Sequence, residues 1–392
     1  MPTDVNPAFA EELRRLRNLR GLSYRQLAER ASCAKTQVND LETGRRQPTV
    51  TMARALDDAL DAQGRLAKFV EDAAGPAIPA AAIKLAPAGR AEPMGDQDVR
   101  QLHETVQHLV KLDTMHGSEG LHLTAVHAFR AAHRRMSTVG ARPGLGADLR
   151  AAIAEVGEVA AWLSYDSEHQ DVSRQVATEA ALVAEVAGDV SMHRFLFSHL
   201  SMQATYLGRG AEGLDLAERV IGEDPKSRRV VGMMRVRRAR AFGQLGDSTE
   251  ALAELRRARG DLAGGVGPDD PGWTWWLHEA ELAVHEARIK SAAGDGRGAV
   301  AASERSVLNL PSGQGRDQAL YRAWLISDLV DVRAWREADE VAEELVERAP
   351  VVGSARVPRI LKAAARRGGR SGAPSWLTDA LWEAARVSDP AA

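Results

Sequence analysis

Five polar residues between positions 35 and 43 carry groups that can contact the edges of DNA bases. Lys35 can donate to guanine, Asn39 can form a bidentate pair with adenine, and a threonine methyl such as that of Thr36 can contact the methyl of thymine. At 100° per residue, these side chains share one helix face with Asp40 and Thr43. We therefore expect Lys35, Thr36, Asn39, Asp40 and Thr43 to contact bases.

A second set of residues near this helix is suited to the phosphate backbone. Arg45 and Arg46 follow the helix, while Ser23, Tyr24 and Arg25 lie at the start of the preceding one. Guanidinium groups, hydroxyls and helix N-termini are common partners of phosphate oxygens. We expect these five residues to add DNA affinity that does not depend on base sequence.

Four helices are predicted to position both sets within residues 1–72. An apolar stripe from Phe9 to Leu19 predicts the first, and a capping-box spacing at Ser23–Gln26 starts the second. A break at Ser32-Cys33 precedes the polar-faced third helix, and Pro48-Thr49 starts a fourth. The first two helices can then brace the third in a DNA major groove.

The stretch LRNLRGLSYRQLAERASCAKTQVNDLETGRRQP resembles the Cro/CI-like (XRE) helix-turn-helix family. The resemblance implies a five-helix, lambda-repressor-like domain that binds a double-stranded DNA operator, usually as a homodimer. It also implies a structural pair between Arg17, ahead of the GLS element, and Glu42. The sequence departs from the family at Tyr24, where Gln is usual, and at Ser32, where Gly is usual.

The charge distribution divides the chain into a head and a body. Residues 1–70 contain 12 Lys and Arg against 9 Asp and Glu, whereas the 392-residue chain as a whole has a net charge of −3. This asymmetry favours an anion-binding head on an acidic body. Residues 73–97 are rich in Ala, Pro and Gly and lack helical periodicity, which predicts a linker before a body at 98–392.

The body contains a degenerate repeat. Segments 207–225, 245–263, 293–311 and 332–350 align on a small residue, and a weaker unit spans 158–189; the small residues are Gly213, Ala251, Ala299, Ala338 and Ser173. Three segments end in proline, at Pro225, Pro311 and Pro350. Small residues allow two helices to cross closely, and proline follows a helix end, so about five to seven helix pairs are predicted.

This pattern resembles tetratricopeptide repeats, with Gly208, Gly246 and Gly294 in the inter-helix turns. The domain order resembles actinobacterial regulators that join an XRE head to a repeat domain, and the peptide-sensing RRNPP group. Counting from the small positions, the residues expected on the concave face are Glu155, Glu158, Trp162, Tyr165, Ser198, Met202, Thr205, Tyr206, Arg240, Arg288 and Ser327. Such mixed aromatic, acidic and basic groups suit a peptide or another ligand, although a solvated or dimerising groove remains the alternative.

Other chemistry finds little support in the sequence. The stretch HETVQH places His103 and His108 five residues apart, whereas a zinc-peptidase helix needs four, and Cys33 is the single cysteine. No P-loop, nucleophile elbow or Gly-rich dinucleotide turn occurs, so we expect no enzyme activity, no cofactor and no metal. The WTWW stretch, Trp273–Trp276, is interpreted as packing under the preceding Gly/Pro loop or as an interaction surface.

The sequence thus predicts an all-α, two-domain transcriptional regulator, with an XRE head and a tetratricopeptide-like α-solenoid that senses a ligand or partner and forms a homodimer. The alternative is a repeat-type adaptor with auxiliary DNA binding. We expect a cytoplasmic protein, because no signal peptide and no run of 18 apolar residues is present.

Overall fold

The computed structural model describes residues 7–31, 33, 35–43, 48, 50–62, 64–68, 92–118, 120–311, 315–348 and 354–389. The chain divides into two compact units, Met1–Ile83 and Lys84–Ala392. In the described ranges the regular secondary structure is helical, and the one isolated bridge pairs Met94 with Ala141. The predicted all-α class is confirmed. None of the helices in these ranges is long and apolar enough to cross a membrane.

The N-terminal unit contains the predicted helices. They are α1 (Pro7–Leu19), α2 (Tyr24–Arg30), α3 (Lys35–Glu42) and α4 (Val50–Leu60), and residues 65–68 form a further helical turn. The predicted capping box starts α2, because Ser23 Oγ accepts from the Gln26 amide while Gln26 Oε1 accepts from the Ser23 amide. Of the predicted turn before α3, Cys33 is described and Ser32 lies outside the described residues.

A small apolar core holds these helices together. Phe9, Leu13, Leu27 and Leu56 are fully buried and belong to one cluster. Asp57 on α4 is also buried, and its carboxylate accepts hydrogen bonds from the amides of residues 66 and 67, at 2.9 and 2.8 Å. That carboxylate satisfies backbone donors of the last helical turn and fastens the turn to α4.

The second unit begins earlier than the predicted boundary at residue 98. Met94 is 2% exposed, and the first long helix starts at Asp96. Residues 92–97 therefore belong to the body, and residues 73–91 of the predicted linker lie outside the described residues.

Fourteen described helices follow in this unit, with one short 3₁₀ helix. They are α5 (Asp96–His116), α6 (Leu121–Val139), α7 (Gly146–Asp166), α8 (Gln170–Ala187), α9 (Val190–Tyr206), α10 (Gly210–Gly222), α11 (Arg228–Gln244), α12 (Ser248–Leu262), the 3₁₀ helix Gly272–Trp276, α13 (Glu279–Ala292), α14 (Gly296–Leu308), α15 (Gly315–Asp331), α16 (Trp335–Arg348), α17 (Arg356–Arg370) and α18 (Ser375–Val387).

From α7 to α18 the helices form antiparallel pairs, as predicted for a tetratricopeptide-like solenoid. The aligned small residues are buried where the two helices of a pair meet, and at Gly213 an added Cβ would lie 2.4 Å from Thr205 Oγ1. The turn residues Gly208, Gly246 and Gly294 have φ values of +84°, +90° and +80°, which side chains other than glycine adopt at a cost. The repeat prediction is confirmed.

The array closes on itself, which the sequence did not predict. α15 packs against α5, and the ion pair Arg316–Asp113, at 2.6 Å, joins residues 203 apart in the sequence. Arg356 on α17 reaches Asp166 on α7 at 3.1 Å. Helices near the start of the body, α5 and α7, are therefore in contact with helices near its end, α15 and α17, and the first helices of the pairs surround an interior space.

Candidate DNA interface and ligand cavity

The polar face of α3 points to solvent. Lys35, Thr36 and Thr43 are exposed, Asn39 and Asp40 are half-buried, and the opposite face is buried in the core. Thr43 Oγ1 donates to the Asn39 carbonyl at 2.8 Å. Towards the other described residues, the side chains of Lys35, Thr36 and Asn39 form no hydrogen bond. The predicted base-contacting set therefore lies together on one accessible helical face.

A buried carboxylate holds α3 in position. Glu42, whose side chain has no exposed surface, accepts from Arg17 Nε at 2.5 Å and Nη2 at 3.0 Å. The implied Arg17–Glu42 pair is confirmed, and hydrogen bonding to Glu42 raises the pKa of Arg17. Arg14 adds a bond to the Glu42 carbonyl at 2.7 Å. α1 is thus tied to the C-terminal end of α3.

The predicted phosphate contacts have different environments. Arg25 and Ser23 are exposed, and Ser23 caps α2. Tyr24 instead donates its hydroxyl to Glu42 at 3.1 Å, and its ring lies 4.3 Å from the Arg17 guanidinium carbon. Tyr24 is therefore part of the buried pair, and its hydroxyl is already engaged. Arg45 and Arg46 lie outside the described residues.

The body encloses a cavity of about 810 Å³. The described lining residues come from α5, from the first helix of each pair and from the segment around the 3₁₀ helix. Nine of the predicted groove residues line it: Glu155, Glu158, Trp162, Tyr165, Met202, Thr205, Tyr206, Arg240 and Arg288. The other two, Ser198 and Ser327, are buried but do not line the cavity. The Ser198 hydroxyl accepts a hydrogen bond from Arg237 Nε, and the Ser327 hydroxyl accepts one from Arg367 Nη2.

Aromatic side chains are concentrated in this cavity. Five of the eight tryptophans in the chain and three of the four tyrosines line it. Trp273 stacks on Phe195 with ring centroids 4.2 Å apart, while Trp275 is 53% exposed and also lines the cavity. The WTWW stretch therefore forms part of the cavity wall, rather than a plug beneath the preceding loop.

Several lining residues escaped the sequence-based prediction. They include Asp113 on α5, Glu281 and His285 on α13, Arg316 and Tyr321 on α15, and Arg356 and Arg359 on α17. Most of these residues reach the cavity because the array closes, which no local periodicity encodes. For three of the lining residues the sequence did contain a signal. His285 lies three residues before Arg288 on α13, and Trp324 and Tyr321 lie three and six residues before Ser327 on α15. The repeat alignment that placed Arg288 and Ser327 on first helices therefore also placed these residues there.

Arginine–carboxylate pairs link the walls. Asp113 accepts from Arg316 at 2.6 Å and from Trp162 Nε1 at 3.0 Å. Burial raises the pKa of Asp113 to about 6, with Arg316 opposing the shift. Tyr206 donates its hydroxyl to Glu168, which also lies 3.3 Å from Arg359 Nε. These contacts fix the side chains of α5, α15 and α17 against α7.

Glu158 and His199 form an uncharged contact in the wall. Glu158 Oε1 lies 3.2 Å from His199 Nε2, and both residues are buried. Burial raises the pKa of Glu158 to about 8, with Glu155 and Asp113 adding to the shift, and burial lowers the pKa of His199 to about 3. Near neutral pH, both shifts favour the uncharged forms, so a protonated Glu158 carboxyl lies beside a neutral His199 imidazole.

The histidines near α5 provide no metal centre in the described part of the chain, where no three His, Cys, Asp or Glu side chains converge. His103 Nδ1 contacts Glu155 Oε2 at 2.8 Å. His103 forms this hydrogen bond, while His122 stacks on His169 with ring centroids 4.1 Å apart and His133 stacks on Phe129 at 5.9 Å.

Comparison with known proteins identifies one domain. No curated protein matches the chain. Among solved structures, the chain is similar to PlcR of Bacillus thuringiensis, in a crystal structure with the peptide PapR7 and DNA; the identity is 14%, the match covers 85% of this chain and 98% of that chain, and the TM-score is 0.37. Residues 8–68 match the sequence model of a helix-turn-helix domain, so the N-terminal unit carries a domain of that family.

Proposed function

We propose that the protein is a sequence-specific DNA-binding transcriptional regulator. The observation that carries this proposal is the accessible polar face of α3, in a unit whose residues 8–68 match a helix-turn-helix domain. In such domains the second helix of the motif enters the major groove, and its polar side chains contact base edges. Such a role would place the protein in the cytoplasm.

The second part of the proposal is that the body senses a ligand in its cavity. A cavity of about 810 Å³ with aromatic walls and a few polar groups has the size and composition of ligand-binding sites. A ligand that binds one arrangement of the body better than another would shift the population of DNA-binding states. One head contacts only a few base pairs, so we expect a homodimer that binds two half-sites.

The test of DNA binding compares a base contact with a phosphate contact. Operator sequences are selected from random DNA, and affinities for selected and random duplexes are then measured at several salt concentrations. Asn39→Ala should lose about 1–3 kcal/mol on the selected sequence and little on random DNA. Arg25→Ala, the matched control, should weaken both about equally and flatten the salt dependence.

Two results would contradict this proposal. Equal loss on selected and random DNA for Asn39→Ala would show that α3 does not distinguish bases. Failure of the wild-type protein to enrich any sequence, with salt-independent affinity, would favour the adaptor function instead.

A further inference from the structure

Two arginines on α11, Arg237 and Arg240, face the cavity, and neither lies within ion-pair distance of a carboxylate among the described residues. The other four lining arginines each lie within ion-pair distance of an acid, in the pairs Arg288–Asp328, Arg316–Asp113, Arg356–Asp166 and Arg359–Glu168. Arg237 is 3% exposed, and towards the described residues its guanidinium group donates one hydrogen bond, from Nε to Ser198 Oγ at 2.9 Å. Arg240 has no hydrogen bond and no ion pair with any described residue.

The uncompensated charge has an electrostatic cost. Burial lowers the pKa of both guanidinium groups, that of Arg240 to about 10 with Arg288 and Arg237 contributing to the shift. Glu281 is the carboxylate whose charge opposes both pKa shifts. It already accepts a hydrogen bond from the Tyr321 hydroxyl and lies 3.1 Å from His285 Nε2. A buried charge is normally paired, because removal from water is offset only by a close opposite charge.

The surfaces beside these arginines are flat and apolar. The Arg237 guanidinium carbon lies 5.6 Å from the ring centroid of Trp276. A second lining tryptophan, Trp324, has its ring centroid 4.3 Å from the guanidinium carbon of Arg288, the arginine that pairs with Asp328. Trp276 in turn lies near Phe195, with ring centroids 6.5 Å apart. Aromatic walls of this kind bury a planar or apolar ring and leave its polar substituent to the arginines.

We propose that the cavity binds a compact organic anion, whose acidic group pairs with Arg237 and Arg240 while its aromatic body lies against the tryptophan walls. This inference rests on the ligand-sensing role proposed above and specifies the ligand class. The acidic group of the ligand supplies the negative charge that the described residues do not place beside Arg237 and Arg240. A bidentate carboxylate or sulfonate is the natural partner of a guanidinium group in a site of low polarity.

The proposal is tested with a matched pair of dyes on the full-length chain. 8-Anilinonaphthalene-1-sulfonate carries the anion, whereas N-phenyl-1-naphthylamine has a similar ring system without charge. Binding is followed by dye fluorescence and by energy transfer from the cavity tryptophans. The variants are Arg240→Met, which removes the charge, Arg240→Lys, which retains it, and Arg256→Met, an exposed arginine on α12.

The expected result is selective loss of the anionic dye. Arg240→Met should weaken its binding by about 10-fold or more, the value of one charge-assisted hydrogen bond, while binding of the neutral dye stays unchanged. Arg240→Lys keeps the charge but not the bidentate geometry, so it should weaken binding less than Arg240→Met does, and Arg256→Met should leave the affinity unchanged. Unchanged binding of the neutral dye shows that the cavity remains folded in each variant.

Displacement of the anionic dye separates two sources of such a ligand. 3-Indolepropionate represents a free aromatic acid, and the peptide Gly-Gly-Gly-Trp represents a peptide with a C-terminal carboxylate. Displacement by either acid, but not by its amide, supports the proposal.

Equal affinity of the anionic dye for wild type and Arg240→Met, or equal displacement by acids and amides, would overturn the proposal while leaving DNA binding untouched. Absence of binding of both dyes would overturn it as well. Failure of the Asn39 experiment, in contrast, would remove the regulatory function and leave these binding results in place.

Discussion

Removal of the Glu42 carboxylate should destabilise the N-terminal unit far more than removal of the Glu12 carboxylate, which pairs with an exposed arginine on α1. In Glu42→Ala, Arg17 loses two charged hydrogen bonds and Tyr24 loses its acceptor. Breaking a buried pair usually costs about 3–5 kcal/mol. Arg17 keeps its bond to the Leu22 carbonyl at 2.9 Å and remains 13% exposed, so we expect about 3 kcal/mol.

The matched control is Glu12→Ala. Glu12 pairs with Arg15 at 2.7 Å, but the Arg15 side chain is 51% exposed and the two residues are one helical turn apart. Such pairs contribute about 0.5 kcal/mol or less. Replacing both members of the buried pair, in Arg17→Met with Glu42→Leu, should restore stability to within about 1 kcal/mol of wild type, because no charge is left unpaired.

The assay is urea unfolding of a fragment of residues 1–83, which form their own compact unit, monitored by far-UV circular dichroism. A free energy of unfolding for Glu42→Ala equal to that of Glu12→Ala would refute the reasoning. So would a double variant as unstable as Glu42→Ala, since the cost would then come from lost packing rather than from an unpaired guanidinium.

Two further predictions concern the body. Gly213→Ala should cost about 1–3 kcal/mol in urea unfolding, because its Cβ would lie 2.4 Å from Thr205 Oγ1; Gly222→Ala on the same helix meets nothing within 4 Å and should cost nothing. Burial raises the pKa of Glu158 from 4.5 to about 8, so the folded state keeps a proton that the unfolded chain releases. The free energy of unfolding of the wild type should therefore fall as the pH rises from about 4.5 to about 8, by at most about 1.4 kcal/mol per pH unit. Glu158→Gln cannot release this proton and should not show the loss. A stability difference between the two proteins that is the same at pH 4.5 and at pH 8 would contradict the assignment.

The head was predictable because its information is local. The spacing of apolar residues placed α1 to α4, and the Ser23–Gln26 capping box marked the start of α2. The role of Tyr24 could not be read in the same way, because its hydroxyl reaches Glu42, a contact that depends on how α2 crosses α3. Sequence position alone assigned it to phosphate.

The cavity was predictable only in part. The aligned small residues fixed which helix of each pair faces inward, and this placed Tyr165, Tyr206 and Arg240 in the wall. Ser198 and Ser327 share that inward register, but longer arginine side chains cover their hydroxyls. Residues of α5 and α17 were missed because their approach depends on the summed curvature of all the pairs, which no single repeat specifies.

Closure of the body also constrains how the protein is made. Open repeat arrays can acquire structure one unit at a time as the chain leaves the ribosome, because each repeat contacts only its neighbours. Here the ion-pair partner of Asp113 is Arg316, which is synthesised 203 residues later, so the Asp113 carboxylate has no such partner until then. We expect a chain truncated before α15 to keep the local helix pairs but to leave Asp113 and the aromatic cavity wall open to water. The contact between α5 and α15 can therefore form only after residue 316 has been synthesised.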